Sequence, residues 1–316
     1  MTENQTNIKL PEKGSVLISG GSGLIGRYLT SLLLSEGYRV SHLSRKVNQF
    51  GKVRVFRWDP EKGILDPVIF EGIDCIVHLA GANIAEKRWT KSRKEEILNS
   101  RVGSAKLLLK VISETRIKLK TFVSASAIGY YGSITSEKIF SELDSPSEDF
   151  LGSICRQWEE SADEFTQTGA RVVIIRTGVV MEKSDSALAK LLKTARWGLF
   201  TRLGTGQQYM PWIHIEDLAR IYLTAIKNPD MQGAYNAVSP QHITHIEFMR
   251  TLAKSLNKPF FHPPVPSFFL RMILGDMADV VLKGSRVDSE KIRNLGYRFQ
   301  FTDLRMAFNQ ICKDIE

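Results

Sequence analysis

The 316-residue sequence has few cysteines, and none of them lies in a pattern that binds metal or forms disulfides. Cys75, Cys155 and Cys312 are scattered, with no Cys-x-x-Cys pair. A disulfide framework is therefore disfavoured, and no spacing of histidine, cysteine and carboxylate residues predicts a metal site. A reducing compartment, the cytoplasm, is the expected location.

Long apolar runs are also missing. None approaches the roughly 20 residues needed to cross a bilayer, and the first fourteen residues, MTENQTNIKLPEKG, do not resemble a signal peptide. Repeats and low-complexity tracts are absent. With 43% hydrophobic and 24% charged residues, the composition predicts a globular protein with a large core and no membrane partner.

The net charge of +9 raises the question of nucleic-acid binding. The basic side chains are spread over the segments 87–94, 183–202 and 283–298 and are interleaved with acidic ones. No RNP, zinc-finger or helix-turn-helix pattern accompanies them. An anionic small molecule is the favoured partner, and nucleic acid is not expected.

Short apolar runs alternate with segments of helical spacing over the first 180 residues. The predicted strands are 16–19, 39–43, 53–56, 74–79, 121–125 and 171–176. The predicted helices are 24–34, 91–114 and 150–167. This alternation predicts an α/β fold built on a doubly wound, Rossmann-type parallel sheet.

The alternation ends after Gly178. Further helices are predicted at 186–197 and 216–227 and from residues 244, 267, 288 and 302, with a short strand at 233–237. We therefore expect a Rossmann domain over 14–180 plus about 213–238. A smaller, mostly helical substrate-binding lobe is expected to comprise 181–212 and 239–316.

The segment SGGSGLIGR, residues 19–27, lies between the first strand and the first helix. Gly21, Gly23 and Gly26 fit G-x-G-x-x-G, whereas Gly20, Gly23 and Gly26 fit the wider G-x-x-G-x-x-G. In either spacing, such a loop lets phosphate oxygens approach backbone N–H groups at a helix N-terminus. The strand-turn-helix context predicts a dinucleotide cofactor.

The end of the second strand indicates which dinucleotide binds. An acidic residue there would bind a ribose 2′-hydroxyl and repel a 2′-phosphate. This chain has Ser44, Arg45 and Lys46 instead, which offer a hydroxyl and two cations to a phosphate. NADP(H) is favoured over NAD(H).

Several motifs together resemble the extended short-chain dehydrogenases, a family that includes nucleotide-sugar epimerases and dehydratases. They are the wide glycine motif, HLAG (78–81), VSAS (123–126), IRTGVV (175–180), WIHIED (212–217) and AYN (234–236). The chain is most similar to the branch of uncharacterised epimerase family proteins. The branch-like features are RW (88–89), SR (100–101), GYYG (129–132), WE (158–159), PWIH (211–214) and a C-terminal module spanning LGDMA (274–278) to GYRF (296–299).

The resemblance implies a nicotinamide cofactor and identifies the residues that would bind it. The expected cofactor-binding residues are Gly20, Gly23, Leu24, Ile25, Gly26, Ser44, Arg45, Lys46, Leu79, Ala80, Gly81, Thr177 and Gly178. It also makes the wide glycine spacing the operative one, with Gly21 an extra.

The chain departs from the family at the residues that carry its proton chemistry. The resemblance implies a Tyr-x-x-x-Lys pair, in which the ammonium favours the phenolate needed as a base. With Glu159 as the reference, the tyrosine position is Leu151 and the lysine position is Cys155, and no Tyr-x-x-x-Lys occurs anywhere in the sequence. Arg101 is a second departure, because epimerases commonly carry asparagine there.

The remaining candidates are therefore weaker. Ser124, Ser126, Tyr130 and Tyr131 are the catalytic candidates, although structural roles for them are equally compatible with the sequence. The substrate-binding candidates are Arg88, Trp89, Gln207, Trp212 and His214. His214 is tempting as a general acid, but its position at a helix start favours a structural role.

Two functions are compatible with these residues. The favoured one is an NADP(H)-dependent oxidoreductase or epimerase-like enzyme with altered acid–base residues. Its substrate would be a small carbonyl or hydroxyl compound, with a nucleotide sugar as one option. The alternative is a catalytically silent protein that binds or senses NADP(H). A homodimer is compatible with either.

Overall fold

The computed structural model describes residues 13–46, 51, 53–115, 117–195, 198, 200–260 and 264–313. Its strands are β1 (Ser15–Ser19), β2 (Arg39–Ser44), β3 (Arg54–Asp59), β4 (Ile64–Leu65), β5 (Cys75–His78), β6 (Thr121–Ala127), β7 (Ile139–Phe140), β8 (Arg171–Thr177), β9 (Val179–Met181), β10 (Arg202–Leu203), β11 (Trp212–His214), β12 (Gly233–Ala237), β13 (Pro264–Val265) and β14 (Arg286–Val287). Its α-helices are α1 (Leu24–Ser35), α2 (Lys91–Asn99), α3 (Val102–Glu114), α4 (Phe150–Asp163), α5 (Ala187–Ala195), α6 (Ile215–Lys227), α7 (His245–Ser255), α8 (Ser267–Leu274), α9 (Asp279–Leu282), α10 (Glu290–Asn294) and α11 (Leu304–Cys312).

The main sheet confirms the predicted doubly wound fold. Within the described residues it has eight strands in the order β12-β8-β6-β5-β1-β2-β3-β4. Every neighbouring pair is parallel except β3 and β4, which form an antiparallel hairpin. The strand order reverses between β1 and β5, and open α/β sheets bind ligands at such a point, beyond the carboxyl ends of the strands.

Helices cover both faces of this sheet because its strands are apolar on both faces. On one face, Leu29 and Leu33 of α1 and Leu218 of α6 pack against Ile18 and Val77. On the other, α3, α4 and the short 3₁₀ helix Glu164–Thr168 contribute Leu108, Ala162 and Phe165, which pack against Ile76 and Phe122. These two apolar layers fix the edge of the sheet at which the carboxyl ends of the strands meet.

A third apolar core lies in the second half of the chain. It joins residues of α5, β11, α7 and α11, with Trp212, Phe248 and Phe308 fully buried. The helix α7 begins as its sequence predicts, because Thr244 and Glu247 form a reciprocal capping box. Across the described residues, no helix has the length and apolarity that a membrane crossing requires.

Two predicted helices differ in the structure. The prediction of a single helix over 91–114 is wrong, because the helix is broken at Ser100 and Arg101. At the break, the Ser100 hydroxyl donates to Ile97 O and accepts from Ala82 N–H. The helix predicted over 186–197 is present as α5 up to Ala195, and the last two residues of that prediction lie outside the described part of the chain.

Candidate cofactor and active site

The loop between β1 and α1 has the wide glycine spacing. Gly20 has a positive φ of +74°, and a Cβ there would lie 2.9 Å from the carbonyl carbon of Leu79. A Cβ on Gly26 would lie 2.6 Å from Gly20 O. Gly23 is the N-cap of α1, and no side chain caps that N-terminus. The loop therefore presents backbone N–H groups to solvent, as a phosphate-binding turn requires.

Gly21 lacks a side chain for a separate structural reason. A Cβ on Gly21 would clash with the imidazole ring of His42, so the ring occupies the space that a side chain would need. His42 is buried on β2, with Nε2 2.8 Å from Thr30 Oγ1, and burial lowers its pKa to about 4. The fourth glycine thus permits packing of a neutral histidine beneath the loop.

A cavity of about 830 Å³ opens beside the glycine loop, at the carboxyl ends of β1, β2 and β5. Predicted cofactor residues that line it are Gly20, Gly23, Ser44, Arg45, Lys46, Leu79, Ala80 and Gly81. Its position at the strand-order reversal suits a dinucleotide, and its volume lies in the range of small-molecule sites. Predicted cofactor residues outside this lining are Leu24, Ile25, Gly26, Thr177 and Gly178.

The cations predicted to select the dinucleotide lie at one end of the cavity. Arg45 is exposed, and its guanidinium Nη1 is 3.9 Å from Glu61 Oε1, which lies on the turn between β3 and β4. An exposed ion pair of this length contributes little stability. Arg45 can therefore exchange Glu61 for a phosphate at little cost.

A hydrogen-bonded histidine supports the opposite wall. His78 at the end of β5 is fully buried, with Nδ1 2.7 Å from Ser19 Oγ and Nε2 3.1 Å from Ser104 Oγ. Burial lowers the pKa of His78 to about 4, so the ring is neutral at pH 7. It ties β1 and β5 to the first turn of α3 and fixes Leu79 to Gly81 at the cavity.

The catalytic candidates on β6 lead into a buried polar network. Ser126 Oγ donates to Glu159 Oε1 at 2.6 Å, and Glu159 accepts two hydrogen bonds from Arg176. Arg176 Nη1 donates to the Tyr131 hydroxyl at 2.9 Å, which in turn donates to Asn236 Oδ1 at 2.7 Å. Ser124 is fully buried, and its hydroxyl donates to a backbone carbonyl.

The two candidate tyrosines differ in exposure. Tyr131 is 1% exposed, whereas Tyr130 is only half-buried, with the Arg176 guanidinium 3.4 Å from its ring centroid. Burial raises the pKa of both phenols. Both are therefore neutral at pH 7 and able to donate a proton, but neither is a phenolate base.

Leu151 and Cys155, the expected positions of the tyrosine and the lysine, lie in the first turns of α4. A Cβ on Gly129 would contact Leu151 Cβ at 3.4 Å and Cys155 Sγ at 3.6 Å, so both side chains pack against the turn that follows β6. Cys155 is buried, and burial raises the pKa of its thiol to about 12. An uncharged thiol there is neither a nucleophile nor a cation.

Of the substrate candidates, Arg88 and Trp89 lie together near α4. The Trp89 ring meets Phe150 edge-on at 4.8 Å between centroids, and its indole N–H donates to Ile84 O. Arg88 is exposed and approaches Gly275, in the 3₁₀ turn after α8. A cation and an aromatic ring thus lie where the second half of the chain folds over the sheet.

The other substrate candidates are placed differently. Gln207 is exposed, and Trp212 lies fully inside the third core. His214 caps α6 by accepting from Glu216 N–H, its Nε2 lies 3.0 Å from Gln310 Oε1, and its ring stacks on Phe301. Burial lowers the pKa of His214. None of the five substrate candidates and none of the four catalytic candidates lines the cavity beside the glycine loop.

The cavity is also lined by residues outside the predicted cofactor-binding set. They are Ser22, His42, Leu43, Val55, Trp58, Pro60, Glu61, Ala82, Glu96, Asn99, Ser100, Gly103 and Ser104. The strand β3 and the turn that follows it contribute Trp58, Pro60 and Glu61, which belong to none of the sequence motifs. Glu96, Asn99, Ser100, Gly103 and Ser104 come from the end of α2 and the start of α3.

Comparison with known proteins agrees with this geometry. A model described as the NAD dependent epimerase/dehydratase family matches residues 16–238. A second model, described only as a domain of unknown function, DUF1731, matches residues 265–311. The two matches cover the glycine loop and the C-terminal module in the order that the sequence predicts.

Individual relatives extend over nearly the whole chain. An epimerase family protein of Mycobacterium bovis is 34% identical over 295 residues, which are 92% of this chain and 95% of that protein. The epimerase family protein YfhF of Bacillus subtilis is 32% identical over 95% and 98% of the two chains. The crystal structure of the human epimerase family protein SDR39U1 (isoform 2) with NADPH is 31% identical, covers 95% and 99%, and has a TM-score of 0.85.

Proposed function

The chain belongs to the NAD dependent epimerase/dehydratase family, and on that premise we propose that it is an NADP(H)-dependent, epimerase-like oxidoreductase. The proposed substrate is a small compound with a carbonyl or hydroxyl group. The observation that carries the cofactor assignment is the position of Ser44, Arg45 and Lys46 on the wall of the cavity. A relative of similar fold was crystallised with NADPH.

The cavity fits this cofactor. The N-terminus of α1 has no side-chain cap and faces a glycine loop that a Cβ would obstruct, so the pyrophosphate would be held there. Arg45 and Lys46 would hold the 2′-phosphate. A bound nicotinamide cofactor supplies the hydride chemistry, while the protein supplies orientation and a proton.

We assign the proton to Tyr130. Its phenol is neutral, it is less buried than Tyr131, and its ring is fixed over the Arg176 guanidinium. Ser126 and Tyr131 are bonded into the Glu159–Arg176 network, and we assign them a structural role in supporting the site. A neutral phenol suits donation to a carbonyl oxygen, so reduction is the favoured direction.

A second function is favoured by a specific observation. Leu151 and Cys155 occupy the tyrosine and lysine positions, and both pack against Gly129. An enzyme that had lost its proton chemistry but kept the cavity would bind or sense NADP(H) without turnover. The second half of the chain would then transmit the bound state instead of holding a substrate.

Oxidation of NADPH at 340 nm, measured against a panel of aldehydes, ketones and keto sugars, separates the two functions. The enzyme proposal predicts turnover that Tyr130→Phe lowers by about 100-fold or more. Tyr131→Phe is the matched control, expected to keep kcat within a few-fold. Tight NADPH binding with no turnover by the wild type would favour the silent binding protein. Turnover unchanged in Tyr130→Phe would remove Tyr130 as the donor.

A further inference from the structure

Arg101 carries a buried positive charge without an acidic partner. It is 9% exposed, and its Nη1 donates to Ile97 O at 3.0 Å and to Ser100 Oγ at 3.4 Å. Within the described residues, no carboxylate forms an ion pair with the guanidinium, and its hydrogen bonds to protein atoms use Nη1 alone. Burial lowers its pKa to about 10, so it remains charged at pH 7. Its other nitrogens are therefore free to donate to a ligand.

The guanidinium lies directly behind the cavity wall. A Cβ on Gly81 would stand 3.0 Å from Arg101 Cζ and 3.3 Å from Nε. Gly81, Ser100 and Ser104 all line the cavity. Arg101 is the N-cap of α3, and its carbonyl oxygen lies 3.4 Å from Nε2 of His78 at the end of β5. Because residue 81 has no side chain, the guanidinium would lie close to the part of a bound dinucleotide that comes after the pyrophosphate.

The other neighbours of Arg101 belong to α4. The Trp158 ring lies 4.9 Å from the guanidinium carbon, and Cys155 is close enough to interact electrostatically with it. The Cys155 thiol is neutral and cannot act as a counter-ion. Glu159, the nearest carboxylate along α4, is bonded to Arg176 and Ser126. Arg101 is therefore a buried cation beside residue 155.

We propose that Arg101 binds the nicotinamide ribose and supplies the cation that a lysine at position 155 would otherwise provide. Nε and Nη2 would donate to the ribose hydroxyls, since a planar fork suits two adjacent oxygens. The pyrophosphate already has the glycine loop and α1. This inference rests on the proposed binding of NADP(H) but is independent of turnover.

Ligand fragments test this assignment by calorimetric titration. 2′-Phospho-ADP-ribose contains the second ribose, 2′-phospho-ADP ends at the pyrophosphate, and 2′,5′-ADP contains only the adenosine half. Arg101→Gln should lower the affinity for NADPH and for 2′-phospho-ADP-ribose by about 10- to 100-fold. It should change the affinity of the two shorter fragments less than 2-fold. Arg101→Lys, which keeps the charge but loses the planar fork, should bind NADPH and 2′-phospho-ADP-ribose more tightly than Arg101→Gln and more weakly than the wild type.

Each alternative gives a different pattern. If the affinities for all four ligands fell equally, or if none of them changed, Arg101 would be assigned to packing on Trp158 and the proposal would be overturned. Weakening of 2′-phospho-ADP together with the longer ligands would move the contact to the pyrophosphate and overturn the ribose assignment. If the wild type bound none of the ligands, the proposed cofactor would fail instead. Arg171→Gln is the arginine control, because Arg171 lies at the amino end of β8 and bonds to the backbone of Met231.

A charge-restoring variant provides a second test. In the Arg101→Gln background, Cys155→Lys should recover at least 10-fold in affinity for 2′-phospho-ADP-ribose, because an ammonium group then enters the vacated space. Cys155→Lys alone should lower the melting temperature, since it confines two cations in one buried region. A folded double variant without any recovery would contradict the equivalence of the two positions.

Discussion

Arg176 and Glu159 form a two-point ion pair inside the protein. Arg176 Nε lies 2.9 Å from Glu159 Oε1, and Nη2 lies 2.8 Å from Oε2, with less than a tenth of either side chain exposed. Ser126 and Tyr131 bond to its two ends. The pair therefore joins the carboxyl ends of β6 and β8 to α4. It also fixes the position of the Arg176 guanidinium, against which the Tyr130 ring packs.

Removing one charge of this pair should be costly. Glu159→Gln leaves the Arg176 guanidinium buried and uncompensated, so the free energy of unfolding should fall by about 3–5 kcal/mol. Glu160→Gln is the control, because the adjacent Glu160 makes only an exposed contact with Arg156 at 3.9 Å and should lose less than about 0.5 kcal/mol. Urea denaturation measures both, and equal losses would contradict the structural role of the pair.

Gly26 should not tolerate a methyl group. Its Cβ would press on Gly20 O and on Gly21 Cα, both of them backbone atoms. Gly26→Ala should therefore lower the free energy of unfolding by about 1–3 kcal/mol and weaken NADPH binding. Gly103→Ala, with nothing within 4 Å of its Cβ, should instead stabilise α3 by about 0.5–1 kcal/mol. A stable Gly26→Ala protein with full affinity would refute this loop geometry.

Stability should fall in mild acid because three buried histidines are kept neutral. Burial lowers the pKa of His42, His78 and His245 to about 4. The unfolded chain takes up these protons near pH 6.5, so stability is full above that pH and is lost as the pH falls towards 4.

At pH 5 each histidine accounts for a loss on the order of 1–2 kcal/mol. His245 lies at the start of α7, away from the cavity, so His245→Leu should give a shallower fall in melting temperature between pH 7.5 and pH 5. The same slope in the wild type and in His245→Leu would exclude this histidine as a contributor.

The ligand-free protein should gain stability when the Arg101 charge is removed. Arg101→Met keeps an unbranched side chain but ends the burial of an unpaired cation, so the melting temperature should rise by about 2–4 °C. Saturating NADPH should reverse the order and favour the wild type, because a ligand stabilises the protein that binds it more tightly. Differential scanning fluorimetry with and without NADPH compares them. A lower melting temperature for ligand-free Arg101→Met would show that the charge is satisfied within the protein.

Much of the Rossmann domain could be predicted because its strands are buried on both faces. Continuous apolar runs such as 16–19 and 171–176 mark β1 and β8 to within one residue at each end. The two-residue strand β4 was missed, since such a short segment has no periodicity to detect. The break at Arg101 was missed because apolar residues continue at helical spacing on both sides of it.

The site was predictable where backbone geometry dictates residue type. Gly20 and Gly26 must lack a side chain, and the residues at the end of β2 face the cavity because of their place in the sheet. Roles that depend on distant partners left no such signal. Tyr131 bonds to Arg176 and Asn236, 45 and 105 residues away, and His214 bonds to Gln310, 96 residues away.

A titration of NADPH against NADH tests the central claim most directly. Wild-type protein should bind NADPH at least 10-fold more tightly than NADH, because the proposed site gives the 2′-phosphate charge-assisted contacts from Arg45 and Lys46. Arg45→Ala combined with Lys46→Ala should weaken NADPH by about 10- to 100-fold and leave NADH within about 3-fold. Tighter binding of NADH by the wild type, or equal weakening of both dinucleotides in the double variant, would contradict the account.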